Sequence, residues 1–164
     1  MIYIRLLPSL LLSCLMVSIA LGAPSKPKTS SQTDDVKLFT EGTSKLFKLD
    51  FVAAEQDFRA SLKANDKNAK AHNNLAFVLR KQGPNHYQES LKHYNRAIQL
   101  DDELAEAYMY RGVLQQAMGA NELALKDHAR LLVLNEKSLA DELEWVITNG
   151  KEKDPAQFFG VVAK

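Results

Sequence analysis

A repeat of about 34 residues constrains the fold of this chain more than any other feature of its sequence. One small residue recurs in the first half of each unit, at Gly42, Ala76 and Gly112. A second recurs in the other half, at Ala54, Ser90 and Ala124. The spacing widens to 36 positions only where Pro84-Asn85 is inserted. Small residues at two positions per unit let two antiparallel helices approach closely, which is typical of stacked helical hairpins.

The apolar pattern predicts helices throughout the repeats. Apolar residues recur every three or four positions in bursts of about 14 residues, with a helical rather than a strand-like period. Short breaks divide the bursts at 49–50, 65–66, 83–85, 101–102, 119–120 and 135–136. A seventh burst follows, with Ser138–Asp141 predicted as its capping box and Asn149-Gly150 as its stop. The fold class predicted is therefore all-α, with three hairpins followed by a capping helix at 139–150.

At this level of detail the sequence resembles the tetratricopeptide repeat family. The best-matching stretch, Ala69–Asp102, carries the family's small, apolar or aromatic residues at Ala71, Leu75, Ala76, Gly83, Tyr87, Tyr94, Ala97 and Leu100. The resemblance covers residues 35–138, as repeats 35–68, 69–104 and 105–138. It implies a right-handed superhelical array in which the first helix of each hairpin lines a concave groove.

The N-terminal residues predict an export signal. A weakly basic start is followed by an apolar run from Leu6 to Leu21, and Ala20-Leu21-Gly22 places small residues where a signal peptidase reads them. We expect cleavage after Gly22, a disordered leader at 23–34, and a periplasmic or secreted mature protein. Two alternatives remain open: an uncleaved N-terminal membrane anchor, and a lipoprotein site at Cys14.

Charge and motif content favour binding over catalysis. The net charge of +1 gives no reason to expect nucleic acid or, after signal cleavage, a membrane as a partner. Cys14 is the only cysteine, and the sequence holds no HExxH, GxSxG or glycine-rich phosphate motif. His86 and His93 are the only two of the four histidines predicted to share a helical face, about 10 Å apart, which is too distant to chelate one metal without other ligands. We therefore expect a non-enzymatic protein without metal or cofactor.

The resemblance implies which side chains contact a partner. The groove positions combine aromatic, amide and basic residues, and the predicted partner-binding set is Phe39, Thr43, Asn73, Asn74, Phe77, Arg80, Lys81, Met109 and Tyr110. Some family members clamp the C-terminal carboxylates of chaperones. At those positions this chain has Phe39, Thr43, Asn74, Glu106 and Tyr110, so only the asparagine is retained and no such clamp is expected.

These features predict an adaptor or scaffold that binds a peptide segment or helix of another exported protein. The alternative is a self-assembling subunit, a homo-oligomer that associates through its terminal helix or its tail. The tail, 151–164, carries an apolar cluster at Phe158, Phe159, Val161 and Val162. Two interpretations of that cluster are open: it packs back on the repeats, or it contacts a partner.

Overall fold

A computed structural model describes residues 31–153, with side chains from Asp34 onward. Within that range there is no strand, which confirms the all-α prediction. The helices are α1 (Ser31–Phe47), α2 (Phe51–Ala64), α3 (Ala69–Lys81), α4 (Tyr87–Leu100), α5 (Ala105–Ala117), α6 (Asn121–Val133) and α7 (Lys137–Asn149), with a 3-10 turn at Pro84–His86. None of these helices is long and apolar enough to cross a membrane.

Several sequence predictions fall at or beyond the ends of this range. Helix α1 begins at Ser31, four residues before the start predicted for the first repeat. The export signal at 1–22 and residues 23–30 of the predicted leader lie outside the described residues, as does the apolar cluster of the tail. The prediction of a disordered leader as far as residue 34 is wrong at its end, because residues 31–34 form the first turn of α1. Of the tail, only Lys151–Lys153 is described.

The helix ends follow from local chemistry. The carboxylate of Asp50 accepts a hydrogen bond from the Ala53 amide at 3.1 Å and so begins α2, and Asn68 caps α3 in the same way. Helix α7 ends at Asn149, and the φ of 72° at the next residue, Gly150, confirms the predicted left-handed stop. The predicted capping box is wrong: α7 begins at Lys137. Ser138 is thus already inside the first turn, where its backbone is helical and it cannot be the N-cap.

Small residues set the close approach of helices within the first hairpin. A Cβ added at Gly42 would lie 2.9 Å from Cε1 of Phe58, so the buried ring occupies the space that glycine leaves. At the other end of the same hairpin, the Ser61 hydroxyl donates a hydrogen bond of 2.9 Å to the Asp35 carbonyl. In the second hairpin the Ser90 hydroxyl donates to the Ala76 carbonyl at 2.6 Å. These hydrogen bonds join the paired helices and satisfy both buried serine hydroxyls.

Helix α7 covers the end of the array. It packs against both α5 and α6, and it buries Ala140, Leu143 and Val146 against them. Close approach again depends on glycine, because a Cβ at Gly112 would lie 2.5 Å from Cδ2 of Leu143. The last hairpin would otherwise expose apolar surface to water, so α7 acts as the predicted cap.

Candidate binding groove

A cluster of cationic and aromatic side chains forms where the C-terminal half of α3 meets α5. The rings of Phe77 and Tyr110 lie 4.9 Å apart between centroids. The guanidinium carbon of Arg80 lies 4.9 Å from the Tyr110 centroid and 5.3 Å from that of Phe77, and Lys81 places its Nζ 5.5 Å from Phe77. The structure thus brings four of the predicted partner-binding residues into mutual contact, and we call these four the Arg80 cluster.

Three further predicted residues lie next to this cluster on the same two helices. Asn73 and Asn74 are one turn earlier on α3, where the amide of Asn73 donates a 3.1 Å hydrogen bond to the Asn74 carbonyl. Met109 precedes Tyr110 on α5. All three side chains are buried, with at most 1% of their surface exposed.

The two predicted residues of α1 are placed in the first hairpin instead. Phe39 is part of the hydrophobic core, where its ring lies 5.9 Å from that of Phe58 on α2. The Thr43 hydroxyl donates to the Phe39 carbonyl of its own helix at 2.8 Å and is buried. Their contribution to partner binding stays a prediction, while their structural contribution is to the packing of α1 on α2.

The Arg80 cluster binds the carboxylate of Glu152, a contact that the sequence did not predict. Arg80 donates two hydrogen bonds to it, Nη1 to Oε2 at 3.2 Å and Nη2 to Oε1 at 2.9 Å. Lys81 donates a third, at 3.0 Å. Glu152 follows the glycine stop of α7, and that stop, which turns the chain back over the array, is the only sequence signal for the contact.

The electrostatics of the cluster favour the ionised form of Glu152 beside Arg80 and Lys81. Burial alone would raise the pKa of Glu152, but the neighbouring charges of Arg80 and Lys81 outweigh it and lower that pKa. Burial also lowers the pKa of Lys81, and the adjacent Arg80 charge lowers it further. A carboxylate is therefore the group that stabilises two buried cations at this position.

A second polar pair lies on the opposite side of α3, facing α4. Nδ1 of His72 is 2.9 Å from Nδ1 of His93, and the two rings stack with centroids 5.1 Å apart. Burial and the neighbouring His72 lower the pKa of His93 to about 4. The prediction that His86 and His93 share one helical face is wrong, because His86 belongs to the 3-10 turn that precedes α4. Among residues 34–153, no three metal-ligating side chains converge on one point.

Comparison with known proteins agrees with this geometry. Residues 85–119 match the family model for the tetratricopeptide repeat. No curated protein sequence matches the chain. The structure is similar to the Arabidopsis OM64 tetratricopeptide repeat domain, with a TM-score of 0.68 and 18% identity over 74% of this chain and 100% of that one.

Two further solved structures are similar. One is the first tetratricopeptide repeat domain of Spaghetti (RPAP3) bound to the HSP90 peptide SRMEEVD, with a TM-score of 0.65 and 22% identity over 74% of this chain and 94% of that chain. The other is the TPR2B domain of yeast Sti1 in a complex with pHsp70, with a TM-score of 0.61 and 19% identity over 73% and 99%. The resemblance seen in the sequence is confirmed: the chain carries a tetratricopeptide repeat and has the fold of tetratricopeptide repeat domains.

Proposed function

We propose that this chain is a non-catalytic adaptor that binds a peptide segment of another protein in the groove between α3 and α5. The observation that carries the proposal is the Arg80 cluster. A guanidinium that contacts two aromatic rings and is flanked by an ammonium group is suited to holding an acidic side chain beside an apolar one. Its aromatic, amide and cationic groups bind and orient rather than transfer protons or electrons.

Proteins of the same fold support this proposal. The Spaghetti domain was solved with the peptide SRMEEVD, which carries three acidic residues, and the Sti1 domain in a complex with pHsp70. In this chain the acidic group at the Arg80 cluster comes from Glu152, inside a chain rather than at a terminus. We therefore expect the partner segment to present an internal Asp or Glu followed by aromatic or aliphatic residues.

We further propose that the partner is an exported protein. The basis is the apolar run from Leu6 to Leu21 and the small residues Ala20 and Gly22 that follow the pattern of a cleavage site. An exported adaptor meets only proteins of its own compartment, so partners are to be sought in the envelope or secreted fraction.

The experiment is a crosslinking capture from that fraction with three baits. The first is the unaltered protein, and the second carries Arg80→Glu and Lys81→Glu, which reverse the charge of the groove. The third carries Lys92→Glu, a matched charge reversal at an exposed position of α4. Capture by the first and third baits but not by the second is the expected result.

The other outcomes separate this proposal from its alternative. A partner retained equally by all three baits would place the binding surface outside the groove. If the protein captures only itself, and light scattering shows an oligomer that the charge reversals leave intact, the self-assembling subunit replaces the adaptor. Circular dichroism of each bait checks that helical content is unchanged.

A further inference from the structure

The path of the chain after α7 leads directly to the proposed groove. Gly150, with φ of 72°, reverses the chain, and the next residues are held on two sides. Glu152 binds Arg80 and Lys81. Lys153 turns the other way, where its Nζ lies 3.2 Å from the Glu142 carboxylate and 5.1 Å from the centre of the Trp145 ring. These opposing contacts fix Glu152 and Lys153, the last two described residues, at the edge of the groove.

The groove side chains are buried to a degree that an open binding surface does not have. Asn73, Asn74 and Phe77 are 0% exposed, Met109 and Tyr110 are 1% exposed, and the Arg80 side chain is 8% exposed. An empty groove of this composition would leave side chains in its middle accessible to water. Carboxamides and a guanidinium are buried in proteins where polar partners surround them. Such burial is what a covered groove would show.

We propose that residues 154–164 of this same chain occupy the groove as an internal ligand, with Glu152 as its anchor. The inference rests on the proposed function, because it assigns an occupant to the same surface. A partner then binds only by displacing this segment.

The sequence of the segment matches the groove in charge and in polarity. Asp154 adds a second acidic group two residues after Glu152, the carboxylate that binds Arg80 and Lys81. Phe158 and Phe159 supply rings for a surface that already contains Phe77 and Tyr110. The segment also gains by burying its apolar cluster, since exposed apolar clusters of this kind are costly in water unless they are used.

The length of the segment is sufficient. Eleven residues in an extended conformation span at most about 36–40 Å. Neighbouring packed helices lie about 8–10 Å apart. From the edge of the groove at Arg80, the segment can therefore cross the first helices of the array and place Phe158, four residues after Asp154, over α3 or α5.

Tethering makes this internal ligand hard to displace. A segment joined by a short linker acts at an effective concentration in the millimolar range. If the groove is free in only one molecule in ten, the apparent dissociation constant of a partner rises about tenfold. A partner of high intrinsic affinity, or an event that releases the segment, would then control binding.

The first test locates the segment. A photo-crosslinking amino acid replaces Phe158 in the whole chain, and crosslinked peptides are identified by mass spectrometry in dilute solution. We expect intramolecular crosslinks to residues 69–81 and 105–117. The same amino acid at Leu125, an exposed position of α6, is the control and should not reach those peptides. Crosslinks from position 158 to other surfaces, or only between molecules, would overturn the inference.

The second test measures competition. A fluorescent peptide with the sequence of residues 154–164 is added to the unaltered chain and to the double variant Phe158→Ser/Phe159→Ser, and binding is followed by anisotropy. We expect at least about tenfold tighter binding to the variant. Equal binding to both chains would refute self-occupancy while leaving a functional groove. If instead the double variant binds the peptide tightly but captures no exported partner, the internal ligand stands and the proposed adaptor function fails.

Discussion

Arg80 and Glu152 form a two-point ion pair between residues 72 positions apart, with Nη2 and Oε1 separated by 2.9 Å. The pair connects the segment that follows α7 to the second helical hairpin. Arg80 is buried and also contacts two aromatic rings, so water cannot solvate its charge in place of Glu152. The pair therefore makes the folding of the C-terminal end depend on the middle of the array.

Glu152→Ala is expected to destabilise the protein by about 1–2 kcal/mol. A buried pair that loses one partner costs roughly 3–5 kcal/mol, and we reduce that figure because the Glu152 side chain is 17% exposed and screened by solvent. The measurement is urea unfolding. Glu144→Ala, at an exposed acidic position of α7, is the matched control and should change the unfolding free energy by less than about 0.5 kcal/mol.

A double-mutant cycle isolates the interaction energy between Arg80 and Glu152 from the other contacts that each residue makes. Adding Glu152→Ala to a chain that already carries Arg80→Leu should cost less than adding it to the unaltered chain, since the buried charge is gone. Additive effects would show that Glu152 stabilises the protein through something other than Arg80.

The imidazole pair predicts a loss of stability in mild acid. Burial lowers the pKa values of His72 and His93, that of His93 to about 4 against an ordinary 6.5. The unfolded chain therefore binds more protons than the folded one between these values. Stability is fully present above about pH 6.5 and falls as the pH drops toward 4. The loss should be about 1–3 kcal/mol, allowing for partial exposure.

Unfolding measured at pH 7.5 and at pH 5 tests this window. His93→Phe should flatten the difference, whereas Lys92→Gln at an exposed neighbouring position should preserve it. Neighbouring charges also act on these pKa values: Glu89 raises and Arg59 lowers that of His93, and Arg96 lowers that of His72. The variants compared must therefore leave these three residues unchanged. An unchanged pH dependence in His93→Phe would place the titrating group elsewhere.

Glu152 is expected to make stability depend on pH in a lower range than the histidines do. Its pKa in the folded state lies below the ordinary 4.5, so the folded protein keeps this carboxylate charged longer than the unfolded chain does. Its contribution is complete above about pH 4.5 and is lost as the pH falls through the folded pKa. Glu152→Gln should remove this component and leave the histidine component intact, which the same unfolding series measures between pH 5 and pH 3.

The helices and their pairing were predictable because their causes are local. Gly42 and Ala54 recur with the repeat period, and each small residue reports a close contact within one hairpin or with the next helix. Helix stops are also local, and Gly150 could be identified from its position after an apolar burst. The misplaced capping box involved only a shift of the α7 start to Lys137, within the usual uncertainty of helix boundaries.

The contacts of the groove and of the histidines were not predictable in the same way. Glu152 reaches Arg80 only because the chain that follows α7 returns to the C-terminal end of α3, and no periodicity in the sequence encodes that contact. His72 and His93 meet across a helix pair. A signal for them did exist, since His72 shares its repeat position with Leu38 and Tyr108 while His93 immediately precedes the aromatic position at Tyr94.

The predicted export signal can be tested by a measurement that needs no structure. If Gly22 is the last residue of the signal, the intact mass of the mature protein corresponds to a chain that begins at Ala23. Gly22→Leu should block cleavage and leave the precursor in the membrane fraction, whereas Lys26→Leu in the leader should not. A precursor mass in the unaltered protein would favour the N-terminal anchor, and a lipid-modified Cys14 would favour the lipoprotein.

The contact between Gly112 and Leu143 predicts that Gly112→Ala changes the unfolding free energy in opposite directions in the unaltered protein and in the Leu143→Ala variant. In the unaltered protein, Gly112→Ala places a methyl group against a fully buried leucine, and we expect a destabilisation of about 1–2 kcal/mol. Leu143→Ala alone should cost about 2–5 kcal/mol through the cavity that it leaves. In that background Gly112→Ala fills part of the cavity and gains up to about 1 kcal/mol of helix propensity, so it should stabilise. Urea unfolding of the four proteins measures the cycle, and a destabilising Gly112→Ala in both backgrounds would mean that α7 does not pack against α5 through these two residues.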